Sequence, residues 1–297
     1  MKKDTCRLCQ QQSELQNSHI LPAFVFRWLK ESAGNGHIRY GMEPNQRVQD
    51  GHKRYWLCAA CEDRLSLSET SFATNLFHPY LEASGKQYYY SRWLMHFCTS
   101  LSWRVLRFYL EESNLKDWSA ESLVHVEKAE RIWRELLLGE RPHPEAFQQH
   151  ILPLDQIQST SGKLAPNINR YFMRAVDMDL CRGGKTIFTY TKLGRFIVLG
   201  FVHEPNPNQW RGTKVNANKG LVGPKEYVLP WAFGEYLNEK AHRMAELLNS
   251  VSEKQQAKID GAFRKNVDRY LESDAYQAML ADVSIFGDAA FPKRDNK

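Results

Sequence analysis

The chain has 297 residues, of which 42% are hydrophobic and 25% charged, and its formal net charge is +6. This composition is typical of a soluble globular protein and excludes a disordered or fibrous chain. The longest apolar runs, such as FIVLGFV at 196 to 202, are too short to span a bilayer, and no apolar signal segment follows the N-terminal lysines. We therefore expect a cytoplasmic protein of one or two domains without a membrane partner.

The first 80 residues predict short elements between two C-x-x-C pairs. A helix is expected from Pro22 through AFVFRWLKES, because proline favours a first turn and Gly34 follows as a stop. The segment RVQDGHKRYWL predicts a hairpin with Asp50-Gly51 as its turn. A second helix is expected from 58 to about 77, with the second cysteine pair in its first turn.

Long helices are expected from about residue 85 to 150. The stretch YYYSRWLMHFCTSLSWRVLRFYLEES has apolar residues at i, i+3, i+4 and i+7, which is typical of an amphipathic helix. Two more helices are expected at roughly 119 to 138 and 142 to 150.

The last part of the chain changes pattern twice. Residues 166 to 203 alternate in character and predict an antiparallel meander, with CRGGK as a hairpin turn. Helices are expected again from 229 to about 250 and from 253 to about 271. The tail FPKRDNK is expected to be frayed.

The cysteine pattern indicates a metal site. The pairs are Cys6 with Cys9 and Cys58 with Cys61, whereas Cys98 and Cys181 stand alone. Cys98 is expected to be a buried small apolar residue, and Cys181 either the same or a turn residue. Four thiolates suit the tetrahedral coordination of structural Zn²⁺. Two unrelated redox motifs are the alternative, which fits poorly because no βαβ pattern surrounds either pair.

The order of the zinc elements predicts the fold class. A pair in a loop, a hairpin and a pair at the start of a helix is the order of a treble-clef finger. We expect an α+β protein in which residues 1 to 80 form a treble-clef or ββα zinc module. Residues 81 to 297 would form a mainly helical accessory domain containing the sheet at about 166 to 203.

The N-terminal segment resembles the zinc-supported branch of the HNH, or ββα-metal, endonucleases. The resemblance rests on CRLC at 6 to 9, NSHILP at 17 to 22 and LCAACE at 57 to 62, and it covers about the first 75 residues. It implies that His19 is the general base that deprotonates water for attack on a phosphodiester. It also implies that Glu62 and Glu69 bind a catalytic Mg²⁺ or Mn²⁺ ion, and that Asn45 is the middle Asn of the motif.

Two positions depart from the family pattern. Ser18 stands where the family commonly has an Asp or His metal ligand, and no histidine follows Cys61. The metal would then depend on carboxylates, namely Glu62, Glu69 or Asp50.

Each assigned role has a structural alternative. His19 could be a hydrogen-bonding core residue near the zinc, Glu62 could favour the helix N-terminus, and Glu69 could be solvated. Asn45 could be a turn residue. The cationic side chains that could grip phosphates, or could form a solvated strand face, are Arg47, Lys53 and Arg54.

The resemblance implies a metal-dependent endonuclease acting on DNA, with the C-terminal domain recognising a protein partner or trigger. Nucleases of this type with a fused second domain often act in bacterial anti-phage defence, so that role is expected from the resemblance alone. The alternative is a non-catalytic zinc finger that binds nucleic acid or a protein.

Overall fold

The computed structural model describes residues 2–34, 36–40, 43–113, 115–160 and 162–291. The tail beyond Phe291, which was predicted to be frayed, lies outside the described residues. The strands are β1 (Lys2–Thr5), β2 (Gln12–His19), β3 (Ile38–Tyr40), β4 (Glu43–Val48), β5 (Lys53–Cys58), β6 (Tyr88–Ser91), β7 (Gln149–Pro153), β8 (Val176–Gly183), β9 (Thr186–Leu193), β10 (Phe196–His203) and β11 (Lys219–Val222).

Helices are combined with small antiparallel sheets, so the predicted α+β class is confirmed. The α-helices are α1 (Ala23–Glu31), α2 (Ala59–Phe72), α3 (His78–Glu82), α4 (Arg92–Glu112), α5 (Ala120–Leu138), α6 (Ile168–Arg174), α7 (Trp231–Asn249), α8 (Glu253–Lys265), α9 (Val267–Leu271) and α10 (Asp274–Phe286). A π-helical turn, Ala73–Phe77, joins α2 to α3.

The chain forms two compact units, each assembled from three segments. The first unit contains Met1–Pro22, His52–Pro153 and Asp177–Val228, and the second contains Ala23–Gly51, Leu154–Val176 and Leu229–Lys297. The chain on both sides of residue 80 belongs to the first unit. A separate functional module ending near residue 80 stays a prediction.

A three-stranded sheet of order β1-β2-β5 lies at the start of the first unit. Both pairings are antiparallel, and α2 begins directly after β5. The buried residues of α2 recur at helical spacing, at Cys61, Leu65, Ser68 and Phe72. This face packs α2 against α4, where the Phe72 ring stacks on Phe97 with centroids 3.9 Å apart.

The core of the first unit lies between α4 and a four-stranded sheet of order β7-β10-β9-β8. Glycine is required at position 200 of β10, because a Cβ there would overlap the Ser102 side chain of α4. The three strands β8 to β10 form the predicted meander, and Gly184, with φ of +58°, lies in the predicted CRGGK turn.

The second unit contains the β3–β4 pair and helices α1 and α6 to α10. In this unit an ion pair joins Arg170 of α6 to Asp282 of α10. The Asp282 side chain is fully buried. The Asp282 carboxylate also accepts hydrogen bonds from the backbone N–H groups of Asn169 and Arg170. It therefore satisfies the free donors at the start of α6.

The predicted hairpin around Asp50-Gly51 is wrong. β5 pairs with β2, and β4 pairs with β3. Pairing β5 with β2 buries Trp56 and Leu57 and brings the second cysteine pair to the first, so long-range packing overrides the local turn signal. Gly51 is needed for close packing instead, because a Cβ there would overlap the ring of Phe26.

Three other predictions need correction. Residues 88 to 91 form strand β6, paired with β11, and the helix starts only at Arg92. The helix predicted at 142 to 150 is absent from the described residues, since Pro142 and Pro144 lack backbone donors and β7 pairs with β10. The meander starts at Val176, because the carboxylate of Asp282 holds the preceding segment as α6.

The remaining helix predictions are confirmed by α1, α2, α4, α5 and α7, and by α8 and α9, which are separated at Asn266. In the part of the chain that the structure describes, no helix is both long and apolar enough to cross a membrane.

Candidate metal centre and histidine site

The first cysteine pair lies in the turn between β1 and β2. Gln10 closes this turn in the left-handed region, with φ of +62°, and its N–H donates to the Cys6 carbonyl at 2.9 Å. The N–H of Arg7 donates to the carbonyl of Trp56 at 2.8 Å. The turn is therefore fixed to β5, whose last residue is Cys58.

The second pair lies at the start of α2, with Cys58 as the N-cap and Cys61 in the first turn. The four Sγ atoms lie within 4.8 Å of one another, and those of Cys9 and Cys58 are 3.9 Å apart. A tetrahedral zinc with Zn–S bonds of about 2.3 Å would separate its sulfurs by about 3.8 Å. The four cysteines can therefore hold a metal ion. All four are free thiols rather than disulfides.

The environment of this thiol cluster favours thiolate at Cys6. Its pKa is lowered to about 4, chiefly by the side-chain hydrogen bond with Cys61 and also by backbone donors. One donor is the N–H of Cys58, at 3.4 Å from the Cys6 sulfur. The pKa of Cys61 is raised, because its thiol is the hydrogen-bond partner of Cys6. A bound cation would stabilise negative charge on these neighbouring sulfurs.

His19 is the last residue of β2 and is half-buried. In the register with β5 it lies opposite Lys53, and Ser18 lies opposite Arg54. Directly after the strand, the N–H of Ile20 donates a hydrogen bond to the carbonyl of His52 at 3.0 Å. His19 therefore stands at the end of a rigid strand pair, immediately before the Ile-Leu-Pro segment.

The Ser18 side chain contacts the predicted metal ligand on α2. Its hydroxyl donates to Oε2 of Glu62 at 2.6 Å, and Ser18 is buried. Glu62 is half-buried in the first turn of α2, where its charge also suits the helix dipole. The structure thus joins the end of β2 to the start of α2 through one charged hydrogen bond.

Glu69, two turns further along the same face of α2, has a strong partner. The guanidinium of Arg104, on α4, donates to Oε1 of Glu69 at 2.5 Å and to the backbone carbonyl of His19 at 3.0 Å. Arg104 is only 3% exposed. This arginine therefore fixes the backbone at His19 against both α2 and α4. A ligand role for Glu69 stays a prediction, and it would require this ion pair to open.

Only one cluster in the described residues meets the geometry of a metal site with three or more His, Cys, Asp or Glu ligands. That cluster consists of the four cysteines, and His19, Glu62 and Glu69 do not form a second one. A site for Mg²⁺ or Mn²⁺ at these residues stays a prediction, and substrate oxygens and water would have to complete its coordination.

The two basic residues predicted on β5 differ in their surroundings. Arg54 donates to Glu112 at 3.0 Å and its guanidinium lies 5.4 Å from the centroid of Phe108, so it is held by α4. Lys53 is half-buried opposite His19. Both line a shallow groove of about 250 Å³ together with Arg7 and the half-exposed Tyr55.

The other two predicted residues belong to the second unit. Asn45 is exposed on β4, and its Oδ1 accepts a hydrogen bond from the backbone N–H of Ser252 at 2.8 Å. This contact holds β4 to the start of α8. Arg47 is exposed on the same strand, and its Nη1 donates to Nε2 of His37 at 3.2 Å.

Sequence reasoning missed Arg104, the residue that fixes His19. The helical pattern of α4 does not distinguish Arg104 from other arginines. Its partners Glu69 and His19 are 35 and 85 residues away in the sequence, so no local pattern connects them to it. An arginine on the buried face of a long helix was the available signal, because arginine is rarely buried without a partner.

Comparison with family models, with curated proteins and with solved structures finds no match to this chain.

Proposed function

We propose that this chain is a zinc-stabilised endonuclease of the HNH type, in which His19 activates water for hydrolysis of a phosphodiester bond in DNA. The observation that supports the proposal best is the ββα arrangement of β2, β5 and α2, with His19 at the end of the first strand and Glu62 in the first turn of the helix. The four thiols beside it fit a structural zinc.

The proposed roles follow from the positions of the side chains. His19 accepts the proton of the attacking water, because histidine is the side chain that most often serves as a general base. Arg104 holds the His19 backbone and Ser18 orients the Glu62 carboxylate. Glu62 would hold a Mg²⁺ or Mn²⁺ ion, which stabilises the charge that develops on the phosphate and the leaving 3′-oxygen.

The positively charged groove residues serve substrate binding in this proposal. Lys53 lies opposite His19, and Arg7 lines the same groove, where it is also paired with Glu111 at 3.1 Å. Contacts of this kind to phosphates position a substrate without reading its sequence. A fused recognition role for the C-terminal part, a protein trigger and a place in anti-phage defence remain proposals that rest on the resemblance alone.

A non-catalytic zinc finger that binds nucleic acid or a protein is the second candidate. It is favoured by the Arg104–Glu69 ion pair and by Ser18 at the position of a family metal ligand, since both reduce the set of carboxylates available to a cation.

Plasmid cleavage separates the two candidates. The purified chain is exchanged into divalent-free buffer, its zinc content is measured, and supercoiled plasmid is added with Mg²⁺, with Mn²⁺ or without either. We expect cleavage only with added divalent ion. His19→Ala should lower the rate by about 10² to 10⁴, the usual contribution of a general base, with unchanged zinc content and DNA affinity.

His78→Ala is the matched control, because His78 is an exposed histidine of the first unit at the start of α3. It should cleave like the wild type. Zinc-loaded wild type that binds DNA but cleaves neither plasmid nor single strands under any of these conditions would favour the binding protein instead.

A further inference from the structure

The β3–β4 hairpin of the second unit brings basic side chains together. Arg39 and Arg47 are direct partners in its antiparallel register. His37, two residues before Arg39, accepts the hydrogen bond from Nη1 of Arg47. We call His37, Arg39 and Arg47 the hairpin cluster. Directly opposed residues share one face of a strand pair, so the two guanidinium groups stand side by side.

Like charges at opposed positions weaken a strand pair. The pKa of Arg39 is lowered, first by burial and then by Arg47, and the pKa of His37 is lowered by burial and by both arginines. The positive charges of Arg39 and Arg47 therefore repel each other in the folded hairpin.

The surroundings add a further positive charge and a neutral acceptor. Nη2 of Arg269, on α9, lies 3.7 Å from the position that a Cβ on Gly36 would occupy, next to His37. The amide oxygen of Gln255 accepts from Arg39 at 3.5 Å. The acidic residue of the hairpin strands, Glu43, lies opposite Tyr40 rather than opposite an arginine.

We propose that the hairpin cluster binds the phosphate groups of a nucleic-acid backbone. Guanidinium groups form paired hydrogen bonds with phosphate oxygens, and one phosphate between Arg39 and Arg47 would convert their repulsion into attraction. A polynucleotide is the fitting source because Arg47 and His37 are exposed on an open hairpin, and the chain carries a net charge of +6. The assignment does not depend on cleavage at His19.

Salt-dependent DNA binding tests the assignment. The zinc-loaded full chain is titrated into a fluorescent 20-base-pair duplex without divalent ions, over a series of salt concentrations, and the slope of log K against log salt is determined. Arg39→Gln/Arg47→Gln should reduce the magnitude of this slope by about 2, since each phosphate contact contributes about 1. Its melting temperature should equal or exceed that of the wild type, because a repulsion is removed.

Two further variants make the result specific. Lys128→Gln/Arg131→Gln removes the same charge from the exposed face of α5 and should leave the slope unchanged. Arg39→Lys/Arg47→Lys keeps both charges and should retain the slope.

The assignment is overturned if the glutamine pair binds DNA like the wild type, if the α5 pair lowers the slope equally, or if the folded wild type does not bind DNA. It is also overturned if inorganic phosphate shifts the His37 ring resonances while DNA does not. Repeating the titration with His19→Ala keeps this outcome separate from the nuclease proposal, because only binding is measured.

Discussion

The carboxylates of α2 and the arginines of the β3–β4 hairpin are opposite cases of charge placement. Glu62 is hydrogen-bonded by Ser18, and Glu69 is paired with the buried Arg104. Arg39 and Arg47, in contrast, oppose each other across two strands. A charge that is satisfied within the protein supports the fold, whereas like charges that face each other favour an external counter-ion.

The thiol cluster resembles the hairpin in this respect. Its four sulfurs lie within 4.8 Å of one another, so four thiolates there would repel one another unless a cation bound them.

The largest expected effect follows from breaking the thiol cluster. Cys58→Ser should abolish metal binding and unfold the β1-β2-β5 sheet with α2, because zinc contributes about 10 to 16 kcal/mol to the folding of small zinc modules. Metal analysis and circular dichroism on the purified variant measure both losses.

Cys181→Ser is the control, since this half-buried cysteine lies on β8 outside the cluster. It should keep the full metal content. If Cys58→Ser retained one metal per chain with native stability, the cluster would not be a metal site.

Breaking the Arg104–Glu69 pair should have the next largest effect. Arg104→Met leaves the Glu69 carboxylate, which is 20% exposed, without this cation and removes the hydrogen bond from the arginine to the His19 carbonyl. Loss of one partner of a buried pair costs about 3 kcal/mol or more in the free energy of unfolding. Arg104→Met/Glu69→Leu should recover part of this loss in urea denaturation. A double variant less stable than the single one would show that the pair does not have the assigned role.

The stability of the first unit should fall in acid through His150. The pKa of this buried imidazole is lowered to about 3 by burial and then by Lys214. The Thr213 hydroxyl donates its proton to the Trp210 carbonyl. It can therefore only accept from Nδ1 of His150, which lies 2.7 Å away.

The unfolded chain takes up a proton at His150 near pH 6.5, whereas the folded chain does so only near pH 3. The stabilisation is therefore complete above the unfolded pKa and is lost as the pH falls, by about 1.4 kcal/mol per pH unit. His150→Asn should lower stability at pH 7 but flatten its dependence between pH 6 and 4. Parallel urea curves for both proteins over this range would refute the assignment.

Ser18→Ala tests the bond to Glu62. Removing a buried donor to a carboxylate should cost about 1 to 3 kcal/mol in the free energy of unfolding. The variant is compared with Ser18→Thr, which keeps the hydroxyl. Equal stability of the alanine variant and the wild type would mean that this bond contributes nothing in solution.

The smallest effect is expected in the hairpin. Arg47→Glu replaces a like-charge pair by an opposite pair with Arg39, which should stabilise the free protein by about 0.2 to 1 kcal/mol. The same change should weaken DNA binding. A lower melting temperature of Arg47→Glu in ligand-free buffer would contradict the electrostatic account of the hairpin.

Local patterns predicted the helices and the thiol cluster well. The helical spacing of the apolar residues in α4 and α5 is continuous over many turns. The two C-x-x-C pairs have a spacing that is typical of a metal site. The pairing of β5 was not predictable in this way. Its partner β2 ends 33 residues before it begins, so no turn signal connects them.

The contacts of the site depended on the same long-range packing. Neither the bond from Ser18 to Glu62 nor the position of Arg104 follows from periodicity, since their partners are 35 to 85 residues away. The opposition of Arg39 and Arg47 also required the register of β3 and β4, because a shift by one residue would move either side chain to the other face.

We propose that this chain hydrolyses phosphodiester bonds with water activated at His19. The most direct test is cleavage of a short labelled duplex in water enriched in ¹⁸O, with mass analysis of the new ends. The account predicts one ¹⁸O atom in a new 5′-phosphate, a free 3′-hydroxyl, and loss of both products in zinc-loaded His19→Ala. Cleavage that persists in this variant, or products without ¹⁸O, would contradict it.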